Sequence, residues 1–167
     1  VYSIMGTGFS TVYGQTENCP VITQHHLNDS VDDICNTAGQ PVSQTEVSIR
    51  SVDDNHTVGI GIVGEICARG PCVMLGYNDN PKATSETVDA KCGLHTGALG
   101  LMDARAYVTI TGRVKEMIIR GGENHFPKEI ENCLLEHPDV AEVAVVGLPD
   151  EKWGEVIGAF IRSKKPI

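Results

Sequence analysis

The sequence predicts an α+β chain in two parts, a strand-rich segment over residues 1–114 and a small α+β unit over residues 115–167, joined at a hinge. Three observations predict it. Eighteen glycines and eight prolines in 167 residues favour turns and short strands over long helices. Apolar residues alternate over short runs, at 42–49 and 65–69, as on half-buried strands. After residues 112–116 the pattern becomes strand (117–119), helix (127–137), strand (141–147) and strand (156–161).

Residues 10–13 read as an extended piece running into Gly14. The polar stretch 21–37, with Asp29, Asp32 and Asp33, reads as a loop, and 42–49 as a strand. Glycine at three of the six positions 59–64 marks a turn or bulge ahead of the strand at 65–69, and 73–75 is a short apolar strand. Asn80-Pro81 opens a short helix, because Asn caps well and Pro is tolerated where the first N–H has no partner anyway. A turn at 103–106 leads into a strand at 107–111. In the second part, Pro127 starts a helix with Ile130, Leu134 and His137 at i, i+4, i+7 and Cys133 beside them.

A hydrophobic content of 41% permits a buried core, and aromatics at 5% leave aliphatic side chains to build it. The net charge of −9 is spread along the chain, with no basic face. That argues against nucleic acid and against an anionic membrane surface as partners. No apolar run approaches the length of a membrane span. The six cysteines (19, 35, 67, 72, 92, 133) show no two-residue spacing and no neighbouring His at ligand spacing, which disfavours zinc. Free thiols in a reducing, cytoplasmic setting are expected, since the chain shows no secretory leader.

Three segments carry residues suited to chemistry. In Tyr13-Gly14-Gln15-Thr16-Glu17, a glycine turn at a strand end exposes backbone N–H groups at a sheet edge. Tyr13 has a ring for a purine face, Thr16 a hydroxyl for a phosphate, and Glu17 a carboxylate for Mg²⁺. A capped strand-end turn with a solvated Glu is the plainer reading. Arg113 offers a rigid fork of donors for ribose oxygens or phosphate, although an Arg beside glycine is ordinarily a surface charge. Gly121-Gly122 permits close approach of a backbone or a narrow ligand, and a tight turn explains it equally well. Gly64 to Gly70, with Gly76-Tyr77 after it, reads as a glycine-punctuated structural strand pair. His125 and His137 have no partner in register, and His25-His26 sits in the polar loop as structure, not as a metal site.

In their order, these segments are specific. Tyr-Gly-Gln-Thr-Glu at 13–17, Gly-Glu-Ile with Gly-Tyr at 64–77, Thr-Gly at 96–97, and Gly-Arg-Val-Lys-Glu with Gly-Gly-Glu-Asn at 112–124 resemble the AMP-forming adenylating enzymes, most of all fatty-acid CoA ligases. The resemblance implies the β-rich end of a large adenylate-forming domain, then a hinge and a truncated C-terminal domain. It implies a ligase that converts ATP and a carboxylate to an acyl-adenylate and then transfers the acyl group to CoA. Tyr13 and Gly14 would face adenine, Thr16 and Glu17 would serve catalysis at the phosphates, with Glu17 holding Mg²⁺, and Arg113 would bind ribose. Lys115 would be the pivot, and Gly121 and Gly122 would line the path of CoA.

Two departures stand against the pattern. The family's Thr-Gly-Asp ends here in Ala98, and Ala106 replaces a customary turn glycine. The family's phosphate loop and C-terminal lysine are also not found, so the isolated chain is expected to be inactive. A non-catalytic remnant that binds nucleotide or a partner, or an adenylation domain loading a carrier protein, are the alternatives.

Overall fold

The structure is a computed structural model that describes residues 7–89 and 93–164. Cys92 and the last three positions of the chain lie outside them. The chain divides into two compact units, one ending at Ile110 and the other beginning at Thr111.

The first unit holds two antiparallel sheets. The smaller joins β1 (Val12–Tyr13), β2 (Thr23–Gln24) and β3 (Gln40–Pro41) in that order. Gly14 explains how the chain doubles back between β1 and β2. The Ile22 N–H donates to the Tyr13 carbonyl at 2.8 Å, and a Cβ at position 14 would lie 1.7 Å from the Pro20 carbonyl oxygen. Only glycine fits there.

The stretch 21–37, expected to be a loop, instead contains β2 and a helix, α1 (Val31–Asn36). Ser30 is the reason. Its hydroxyl accepts the Asp33 N–H and donates to the Asp33 carboxylate, a reciprocal cap strong enough to start a polar helix. His25 is buried, not in an open loop. Its ring contacts the Thr11 hydroxyl at 2.7 Å, the Thr37 hydroxyl at 2.9 Å and the Asp33 carbonyl at 3.1 Å, tying α1 to the small sheet.

The larger sheet runs β4 (Glu46–Arg50), β5 (Gly64–Arg69), β7 (Gly93–Met102), β6 (Val88–Asp89), with β8 (Val108–Arg113) also paired to β7. The 73–75 stretch, expected to be a strand, is irregular and leads to α2 (Pro81–Thr87), which Asn80 caps through the Ala83 N–H. Ile49, Ile66 and Val108 form the core of this sheet, with Tyr13, Val47, Val58, Ala98 and Met102 packed against them.

The second unit is a four-stranded antiparallel sheet in the order β10 (Glu123–His125), β9 (Ile118–Arg120), β12 (Gly154–Ser163), β11 (Val140–Asp150). The helix α3 (Pro127–Leu135) is linked to it where Glu131 accepts the Val145 N–H at 3.1 Å. Ile130 and Leu134 are half-buried, as the spacing predicts. Cys133 and His137 are exposed instead of sharing that face, because α3 ends at Leu135 and Glu131 takes part of the inner side. No helix among the described residues is long and apolar enough to cross a membrane.

Candidate functional site

After β1, the chain passes through extended Gln15 into a single 3₁₀ turn, Thr16–Asn18. Asn18 is buried and pins the turn by donating to the Val21 carbonyl at 3.0 Å. This leaves Thr16 exposed and Glu17 half-buried. Two groups from the segment after β5 hold Glu17. Its carbonyl accepts the Met74 N–H at 2.8 Å, and its Oε1 accepts the Tyr77 hydroxyl at 2.8 Å. The hydrogen bond to Glu17 raises the Tyr77 phenol above its ordinary pKa, with a contribution from burial. Tyr77 is itself seated by its N–H donating to the Thr84 hydroxyl, at a point where any side chain at Gly76 would strike Thr84.

Tyr13 is only partly available. Its ring packs against Ile49, Ile66 and Val108, so much of its surface belongs to the core and not to an open sheet edge.

Residues 96–98 form a bulge within the continuous strand β7. Glu65 pairs with Leu99 and Cys67 with His95, so three residues of β7 stand opposite Ile66 alone. The ladder groups displaced by the bulge find side-chain partners. The Thr96 hydroxyl donates to the Ile66 carbonyl at 2.7 Å, and the Gly97 N–H donates to Glu65 Oε1 at 2.9 Å. Gly97 has φ +71°, a conformation that favours glycine. Ala98 follows with its methyl against the core cluster.

Beside the bulge, His95 is clamped. Its Nδ1 lies 2.8 Å from Glu65 Oε2 and its Nε2 lies 2.8 Å from Asp89 Oδ2. Burial pushes the imidazole toward its neutral form, but the two carboxylates outweigh it and hold the pKa above the ordinary histidine value. Cys67, fully buried, places Sγ 3.5 Å from Nδ1.

In the second unit, Arg113 is exposed at the end of β8, and Lys115 is exposed within a 3₁₀ turn, Val114–Glu116. Gly121 and Gly122 form a two-residue hairpin between β9 and β10, with φ +61° and +88°. Positive φ at both positions matches the right-handed twist of the strands and explains the paired glycine. Gly121 has a second constraint, since a Cβ there would lie 2.7 Å from the Trp153 ring.

The family model described as AMP-binding enzyme matches residues 1–78, and that of the AMP-binding enzyme C-terminal domain matches residues 129–166. The chain belongs to the AMP-binding enzyme family. It is 42% identical over 153 residues to the mitochondrial medium-chain acyl-CoA ligase ACSF2 of Mus musculus, covering 92% of this chain and 25% of that protein. It is 45% identical over 157 residues to a methyl-dioxo-octahydro-indenyl-propanoyl:CoA ligase of Rhodococcus jostii, covering 94% of this chain and 28% of that protein. Among solved structures it matches o-succinylbenzoate CoA synthetase of Bacillus subtilis in complex with its acyl-adenylate intermediate, with a TM-score of 0.79 and 34% identity, covering 97% of this chain and 33% of that one. The chain therefore spans about a quarter to a third of the length of these relatives.

For an AMP-binding enzyme segment, the predicted residues fall into separate groups. Tyr13, Gly14, Thr16 and Glu17 lie together in the first unit, while Arg113, Lys115, Gly121 and Gly122 lie in the second. Sequence reasoning missed Tyr77, Glu65 and the His95 clamp. Tyr77 lies sixty positions from Glu17, and only the single Gly76-Tyr77 pair after the β5 strand hinted at a fixed side chain. The approach of Cys67 to His95 was invisible to a search for short spacings, because antiparallel pairing brings together residues 28 positions apart.

Proposed function

We propose that the chain is the portion of an acid–CoA ligase that completes the adenylate site and begins the mobile C-terminal domain. The protein would join a carboxylate, most naturally a fatty acid, to AMP from ATP with release of pyrophosphate, and then transfer the acyl group to CoA. The observation that carries this reading is the fixed carboxylate of Glu17, held by Tyr77 at the end of a glycine turn in a family whose members are named as acyl-CoA ligases.

Each role follows from chemistry. Glu17 suits Mg²⁺, because its carboxylate is a hard oxygen donor already oriented by the Tyr77 hydroxyl, with Oε2 left for a cation. When bound, that ion would offset charge on the phosphate oxygens. Thr16 is exposed beside it and offers a hydroxyl to the α-phosphate. Tyr13 and Gly14 would bound the adenine, with the ring fixed by its core contacts. Arg113 would bind ribose, and Lys115 would be the pivot about which the following domain turns between half-reactions. Gly121 and Gly122 would let pantetheine pass close to the backbone.

Ala98 sets a limit. A carboxylate at this bulge would accept hydrogen bonds from both ribose hydroxyls, and Ala98 accepts none. It favours a second reading, a non-catalytic nucleotide-binding remnant. Calorimetric titration of the purified chain with AMP and with a non-hydrolysable acyl-adenylate mimic tests both. Hydrogen bonds to a charged group contribute about 1.5–3 kcal/mol each, so Ala98→Asp is expected to tighten AMP at least ten-fold. Carboxylate-dependent pyrophosphate release and thioester formation with free CoA, assayed in the polypeptide containing this segment, separate ligase from remnant. Acylation of a carrier-bound phosphopantetheine in place of CoA would reassign it as a carrier-loading domain.

A further inference from the structure

We propose that Glu65, Cys67 and His95 form a binding site for a transition-metal dication of the zinc class, separate from the magnesium role given to Glu17. The three donor atoms all lie within 4.8 Å of one another, a convergence of nitrogen, sulfur and oxygen of the kind that holds zinc.

The sheet builds this site from local rules. Glu65 and Cys67 are two apart on β5, so their side chains leave the same face. Cys67 pairs directly with His95 across to β7, which brings sulfur and imidazole together. The bulge at residues 96–98 then lets the Glu65 carboxylate reach back to Nδ1.

The distances fit an ion at the centre of the triad. With zinc–sulfur near 2.3 Å and zinc–nitrogen near 2.0 Å, a tetrahedral site sets the two ligands roughly 3.5 Å apart, and Sγ lies 3.5 Å from Nδ1. Glu65 Oε2, at 2.8 Å from Nδ1, needs only a small swing outward to take a third vertex.

The supporting contacts are in place as well. Asp89 Oδ2 holds the Nε2–H, the carboxylate–histidine arrangement that turns the Nδ1 lone pair toward a metal. The Gly97 N–H fixes the other oxygen of Glu65. Binding releases the Cys67 thiol proton, and the Nδ1 proton where present, to solvent. Thiolate and carboxylate then neutralise the dication, and water takes the fourth position. Cys67 is completely buried, while the side chains of His95 and Glu65 keep 20% and 15% of their surface exposed, enough for an ion to enter from the imidazole side.

Cobalt(II) is the probe, because a thiolate–cobalt bond gives a near-ultraviolet charge-transfer band and a tetrahedral site gives intense visible bands. Titration of the purified, reduced chain should saturate at one cobalt per chain, and zinc should displace it. Cys67→Ser should abolish the charge-transfer band. Asp89→Asn should keep the spectrum and weaken affinity about 10–100-fold. His95→Gln provides a second variant should Cys67→Ser lose its circular dichroism, and it should weaken cobalt at least ten-fold. A folded chain without the band, or a band of full amplitude in Cys67→Ser or undiminished affinity in His95→Gln, overturns the site. Those results would leave His95 as a ring held between two carboxylates. None of these outcomes depends on nucleotide binding, so the proposal stands or falls apart from the ligase reading.

Discussion

The Tyr77 hydroxyl donates to Glu17 Oε1 at 2.8 Å, linking two residues sixty positions apart. Without that bond, the Glu17 carboxylate would be fixed only through its own backbone. Tyr77→Phe is expected to lower stability by about 1 kcal/mol or less, the range for a charge-assisted hydrogen bond discounted for partial exposure. A double-mutant cycle with Glu17→Gln in urea should return a coupling of at least about 0.5 kcal/mol. Simple additivity would mean that the contact does no energetic work.

Gly14 is set by sterics before any ligand is considered. A methyl group there would overlap the Pro20 carbonyl oxygen, so Gly14→Ala should destabilise the chain by about 2–3 kcal/mol, as overpacking does. Gly8 has nothing within 4 Å of a built Cβ, and Gly8→Ala should stay within about 0.5 kcal/mol. Thermal melts of the two variants make the comparison.

Ala106 sits at φ +66° in the turn between β7 and β8, where the Asp103 carbonyl accepts its N–H. A left-handed alanine costs about 1–2 kcal/mol, partly offset by the chain entropy that glycine would lose. Ala106→Gly is therefore expected to stabilise the first unit by about 0.5–1 kcal/mol, read as a rise in urea midpoint. An unchanged or lower midpoint would contradict it.

The Arg105 guanidinium donates to both oxygens of Asp33, and with Ser30 it holds the Asp33 carboxyl below its ordinary value of 3.8. A depressed carboxyl stabilises the fold above its unfolded pKa and loses that contribution as pH falls through the folded value. The stability gap between the native chain and Arg105→Ala should thus be constant above about pH 5 and close below pH 4. Denaturation melts from pH 7 to pH 2 follow it. A gap that widens in acid would refute the assignment.

Much of the architecture was legible because local rules set it. Pro127 and Asn80-Pro81 mark the helices α3 and α2 correctly, while the glycine pair reads in the sequence only as a tight turn and its hairpin partner, β10, is not read at all. The helix after Ser30 was not legible, because Val31–Asn36 is polar and short, and its cap rather than its periodicity starts it. Thr16 and Glu17 were found as a turn, whereas the partner that orients Glu17 was not, since no local spacing encodes a contact between a 3₁₀ turn and an irregular segment sixty positions on. The same holds for Tyr13, whose ring reads as a free stacking surface in the sequence yet is drawn into the core by three aliphatic residues from β4, β5 and β8.

The three-against-one irregularity between β5 and β7 has a consequence for how this segment tolerates change. Gly64 faces Gly100 on one side of it and Ala68 faces Leu94 on the other, both in ordinary antiparallel register. Because the extra residues lie between those fixed points, the ladder on either flank can keep its register, while Thr96, bonded to the Ile66 carbonyl, and Gly97, at positive φ, stay tied to their own identities. The alanine at its last position rests on the aliphatic cluster beneath, so a change of side chain there is transmitted to packing and not to strand alignment.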